Sequence, residues 1–124
     1  MKILLVEDDE DIRMALKELL TLEGHDCTEA ADGLAAKLLL EKDPAFDLMM
    51  TDFRMPNMDG VELLAWCREN AIHTPVIFLS ADARLFDREK MALAESGAEL
   101  LKKPVEIQVL LDAIESSRAH SKKS

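Results

Sequence analysis

Ile3-Leu4-Leu5-Val6-Glu7-Asp8-Asp9 sets four apolar residues directly against three carboxylates, and the fold is read outward from that junction. The apolar run leaves no polar side chain to turn toward solvent, the pattern of a strand covered on both faces in a parallel sheet. Leu48-Met49-Met50 and Val76-Ile77-Phe78-Leu79 repeat it. Two weaker stretches, Asp26 to Ala30 and Glu99 to Lys102, offer less apolar cover and suit the edges of a sheet, where one side meets solvent.

Helical stripes run between these strands. Ile12, Ala15, Leu16, Leu19 and Leu20 keep i, i+3, i+4, i+7 spacing, as do Ile107, Leu110, Leu111 and Ile114. Asp32-Gly33 opens a helix through Leu34, Leu38 and Leu39; Asp59, a good N-cap, opens another through Leu63, Leu64 and Cys67. Leu85 to Ser96 has helical length but the poorest stripe, and Gly24, Pro44 and Gly97 mark helix ends or the loops after them. The alternation predicts an α/β fold, a flavodoxin-like doubly wound (βα)5 unit whose five-stranded parallel sheet has helices on both faces. Edge strands at the second and fifth places select the order 2-1-3-4-5. In that order ligands bind where the winding reverses, beyond the carboxyl ends of the first and third strands. Those ends carry Glu7-Asp8-Asp9 and Asp52. Residues 1–117 read as one domain and 118–124 as a flexible tail.

Of the 124 residues, 25 are acidic and 15 basic, and a formal charge of −10 repels DNA, RNA and anionic lipid. Neither nucleic-acid nor membrane contact is expected. The first apolar run is too brief for a signal peptide or a membrane span. Cys27 and Cys67 lie in apolar segments and read as small buried hydrophobes, which suits a reducing cytoplasm. His25, His73 and His120 lack ligand spacing.

Carboxylates from separate strands meeting in one crevice repel one another at a cost of several kcal/mol unless a cation neutralises them. An oxygen-only site with few protein donors suits Mg²⁺, whereas taken singly each Asp is as well explained as a helix cap or a solvated charge. Four runs occur in order along nearly the whole chain: Val6-Glu7-Asp8-Asp9, Thr51-Asp52-Phe53-Arg54-Met55-Pro56-Asn57-Met58-Asp59-Gly60, Pro75-Val76-Ile77-Phe78-Leu79-Ser80-Ala81 and Lys102-Lys103-Pro104. Together they resemble the successive signatures of response-regulator receiver domains. The resemblance implies that Asp52 accepts a phosphoryl group and that Asp8 binds the Mg²⁺ directly. It implies that Glu7 acts on the metal through water and that the Arg54 backbone carbonyl completes the protein's share of the coordination. Ser80 takes the place of the family's switch hydroxyl and Lys103 that of its lysine, the charge partner of the phosphoryl group. The expected donor is a sensor histidine kinase or a histidine phosphotransfer protein, docking near Ile12 to Leu16 and the loop after Lys103. A downstream protein then reads the signal, with the chain a monomer or a phosphorylation-dependent dimer. The chain promotes its own phosphorylation and dephosphorylation without being a conventional enzyme.

Two features depart from the family's habit or add to it. Leu100 stands where receiver domains usually carry an aromatic ring, so their usual coupling of hydroxyl and ring is not expected here. Arg54 and Asp82, each two residues past a signature position, are expected to face one another across the mouth, hinder the attacking water and prolong the acyl phosphate. Among rivals, a phosphatase with an Asp nucleophile needs a second acid where Arg54 stands, and a flavin-type phosphate loop would be repelled by Glu7-Asp8-Asp9. The alternative with most in its favour is a receiver-fold binding module that signals without phosphorylation.

Overall fold

The alternating runs and stripes become β1 (Lys2–Val6), α1 (Glu10–Leu22), β2 (Asp26–Ala30), α2 (Gly33–Lys42), β3 (Leu48–Asp52), α3 (Gly60–Glu69), β4 (Val76–Ser80), α4 (Asp87–Ser96), β5 (Glu99–Lys102) and α5 (Ile107–Lys123). This computed structural model describes residues 1–82 and 84–123, with side chains as far as residue 118. The five strands pair in parallel in the order β2-β1-β3-β4-β5. Every side chain from Leu48 to Asp52 and from Val76 to Ser80 is buried, while β2 and β5 are only partly covered, as edge positions require.

The sheet divides the core by the parity of its side chains. Leu4, Val6, Met49, Val76 and Phe78 pack with Ala36, Leu40, Leu63, Leu64 and Cys67 on the α2 and α3 side. Ile3, Leu5, Leu48, Met50, Ile77 and Leu79 pack with Leu20, Leu110, Ala113 and Ile114 on the α1 and α5 side. Phe53 stacks on Phe78 at 4.2 Å between ring centroids and extends the first core to the end of β3.

Short polar side chains start the helices by accepting orphan backbone N–H groups. Asp9 accepts from Ile12 N, Asp32 from Ala35 N and Asp59 from Glu62 N, and Glu62 returns a bond from the Asp59 N–H. Gly97, at φ +67°, closes α4 in the left-handed conformation expected of its glycine. Cys67 and the half-buried Cys27 are free thiols, and burial pushes both pKa values up to about 11.

One detail differs from the sequence reading. In α2 the stretch Gly33–Lys42 is apolar nearly all round, so periodicity does not choose a face; Ala36 and Leu40 are buried while Leu34 and Leu38 are exposed. No Gly or Pro follows Pro104 to stop α5, which runs to Lys123; Ser124 lies outside the described residues. Among the described residues no helix is long and apolar enough to cross a membrane.

Candidate functional site

Parallel register brings the chemistry to one end of the sheet. Val6 pairs with Thr51, Asp52 with Leu79 and Ser80 with Lys102, so Glu7, Asp8, Asp52, Ser80 and Lys103 all stand at or just past neighbouring strand ends. The Lys103 N–H donates to the Ser80 carbonyl at 2.8 Å, carrying the β4–β5 pairing one step further. These residues border an open depression whose other shoulder is Ile12, Leu16 and Val105.

The turn after Asp52 is held by close backbone approach. Gly60 N–H donates to the Phe53 carbonyl at 2.8 Å, and a Cβ at Gly60 would overlap the Asp52 carbonyl oxygen. Gly33 stands in the same relation to Met58, donating to its carbonyl at 3.0 Å with no room for a Cβ. Asn57, at φ +67°, donates from its side-chain amide to Asp32 at 2.7 Å. The Met-Pro-Asn-Met-Asp-Gly run is thus the chemistry of a turn braced against α2, and it fixes where Asp52 ends.

The carboxylates of Glu7, Asp8 and Asp52 each offer an oxygen within 4.8 Å of the others. Glu7 is 0% and Asp52 3% exposed, while Asp8 reaches solvent. Lys103 Nζ lies 2.7 Å from Asp52 Oδ1 and 2.8 and 2.9 Å from the two Glu7 oxygens. Burial pushes the Asp52 carboxyl above its ordinary range, with the Lys103 ammonium pulling it back. Lys103 alone cannot balance the trio: it is one positive charge against three negative ones. Asp52 Oδ1 is also buried without a well-directed hydrogen bond, despite its closeness to the ammonium. An under-satisfied oxygen among oxygen-only donors, open to solvent at Asp8, fits a small hard divalent cation.

The remaining expected site residues face the β4–α4 loop. Ser80 Oγ donates to the Asp82 carbonyl at 2.9 Å and accepts from the Asp82 N–H, so its partners here are loop backbone. Arg54 Nη1 meets Asp82 Oδ2 at 2.8 Å, the pair expected from the sequence. The sequence reading missed the rest of that guanidinium's partners: Nε and Nη2 bond both oxygens of Glu89 at 3.2 and 3.0 Å, and Nη2 also bonds the Arg84 carbonyl at 3.0 Å. A signal existed. Glu89, Ala92, Leu93 and Ser96 share one face of α4, with a carboxylate at a place where an apolar residue belongs.

Residues 3–115 match the model of the response regulator receiver domain family. The response regulator protein FleR of Pseudomonas aeruginosa is 40% identical over 91% of this chain, and the sensor protein EvgS of Escherichia coli 38% identical over 89%. The chain spans only 24% of FleR and 9% of EvgS. The solved receiver domain of the Francisella response regulator 1452 superimposes with a TM-score of 0.82 at 33% identity, covering 97% of this chain and 98% of that one.

Proposed function

The chain belongs to the response-regulator receiver domain family, and from that membership we propose that Asp52 accepts a phosphoryl group beside bound Mg²⁺ and that the modification switches the protein's conformation. The observation that carries this reading is the meeting of Asp8, Asp52 and Lys103, from three separate strand ends, within one cluster. Asp8 and Asp52 would hold the ion, with Glu7 acting through water and Arg54 offering its backbone carbonyl. The ion would supply charge neutralisation between an anionic nucleophile and an anionic donor.

In the reaction an Asp52 oxygen attacks phosphorus in line with the leaving group. The donor's P–N bond breaks, the imidazole nitrogen keeps the electron pair, and an acyl phosphate remains on Asp52. Lys103 is already within 2.7 Å of that carboxylate and follows the charge onto the phosphoryl oxygens. Ser80 exchanges its bonds to Asp82 backbone for one to the phosphoryl group and draws the loop with it. Water later cleaves the P–O bond, returning the Asp52 carboxylate and inorganic phosphate, and the Arg54–Asp82 pair over the mouth slows that attack. The donor is a histidine kinase or a phosphotransfer protein seated on the Ile12–Leu16 shoulder and the loop after Lys103; similarity both to a response regulator and to part of a sensor protein supports a phosphorelay setting.

The test is intact-mass spectrometry after incubation with Mg²⁺ and acetyl phosphate. A single phosphoryl adduct is expected on the wild type and none on Asp52→Asn or after chelation of the metal. An adduct that persists undiminished on Asp52→Asn would move the acceptor elsewhere, and no adduct on any form would favour signalling without phosphorylation.

A further inference from the structure

The buried residue of α4 is a carboxylate. Glu89 is 2% exposed, while Ala92, Leu93 and Ser96 on the same face are only partly covered. A carboxylate taken from water persists only if its oxygens are fully paired. Here Oε1 accepts from the Phe86 backbone N–H at 2.8 Å and from Arg54 Nη2 at 3.0 Å, and Oε2 accepts from Arg54 Nε at 3.2 Å. Arg54 meets Glu89 with the two-pronged fork that suits a carboxylate. The Phe86 ring covers the guanidinium, 4.0 Å from its carbon. The charge that satisfies α4's buried group is therefore borne two residues past Asp52, in the turn whose backbone is braced by Gly60.

We propose that Glu89 is a positioning residue that seats α4 through Arg54, so that displacement of the main chain just past Asp52 is passed to α4 by one ion pair between a buried carboxylate and a solvent-exposed guanidinium. The coupling to phosphorylation rests on Asp52 as the acceptor; the seating of α4 does not. A contact that is kept in one arrangement of the turn and lost in another biases α4 between two positions, which is what a switch needs. Arg54 lines the depression at the carboxylate cluster and Glu89 does not, so Glu89 reaches the site through Arg54.

Hydrogen exchange of the full chain, read by mass spectrometry, tests both halves. Without phosphodonor, amides of residues 87–96 are expected to exchange roughly tenfold faster in Glu89→Gln and in Arg54→Met than in the wild type, with no further increase in the double variant. Glu89→Gln keeps an oxygen for the Phe86 N–H, so it separates the ion pair from the cap, and unchanged exchange in residues 107–117 shows that the fold is intact. With Mg²⁺ and acetyl phosphate, the wild type is expected to change its exchange in 87–96 as the adduct forms, and Glu89→Gln to form the adduct without that change. Unaltered exchange in 87–96 for both single variants, effects that multiply in the double variant, or a full wild-type response in Glu89→Gln would each overturn the proposal. If the wild type forms no adduct, the acceptor reading fails, and the donor-free exchange alone decides how α4 is seated.

Discussion

α4 and α5 are consecutive helices on either side of β5, yet they are attached to the sheet by different physics. α5 buries Leu110, Ala113 and Ile114 against Leu79, Leu101 and their neighbours. α4 buries Glu89 and leaves Met91 and the Phe86 before it exposed. Apolar burial is non-directional and takes no account of the charge at the neighbouring site. A buried carboxylate depends on the partners of its oxygens, here the Phe86 N–H and Arg54, and Arg54 belongs to the turn after Asp52. One helix is attached unconditionally and the other on a condition set at the site.

The largest effect that probes this contrast is on α5. Leu110→Ala should destabilise the fold by about 2–5 kcal/mol, as a lower urea midpoint with an unchanged slope. Leu93→Ala, from the best apolar position of α4, should cost less than about 1.5 kcal/mol because the side chain is already partly exposed. Equal losses at the two positions would mean that α4 too is seated by its apolar face.

Gly60→Ala comes next, at about 1–3 kcal/mol, since the added methyl has to displace the Asp52 carbonyl. Its sharper consequence is spatial: the turn moves, Arg54 moves with it, and amide exchange should rise in 87–96 and not in 107–117. Exchange that rises equally in both helices would show a general loosening and erase the distinction between them.

Much of this architecture was legible in the sequence because it follows from local periodicity. Unbroken runs named β1, β3 and β4, thin cover named β2 and β5 as edges, and Asp32 and Asp59 announced helix starts through the side-chain oxygen of a good N-cap. The carboxylate cluster followed from topology, since the order of strands alone puts Glu7, Asp8 and Asp52 at one end. The seating of α4 followed from neither. Glu89 falls on the apolar face of the helix, but a charged residue is ordinarily read as surface, and the partner that makes its burial possible is 35 residues away on a different element. The exposed face of α2 was hidden for a related reason: where a helix is apolar all round, a tertiary contact, Gly33 against Met58, decides its rotation.

The smallest effect separates the two carboxylates that share Arg54. Asp82 is 57% exposed and Glu89 2%, though each lies about a hydrogen bond from the same guanidinium. Solvent screens the first pair and the side-chain order needed to hold it offsets most of the gain, so its loss should barely be felt in stability. Asp82→Ala removes that carboxylate and leaves the backbone atoms that hold Ser80 Oγ. Arg54 then stays in place, gripped by Glu89 and the Arg84 carbonyl. Dephosphorylation of the acyl phosphate, followed as phosphate release, should quicken by less than about threefold, and exchange in 87–96 should stay at the wild-type rate. Arg54→Ala, which clears the whole guanidinium from the mouth, should quicken it more. If Asp82→Ala instead loosens α4 as far as Glu89→Gln does, the helix hangs on the exposed loop, and its dependence on a buried charge is lost.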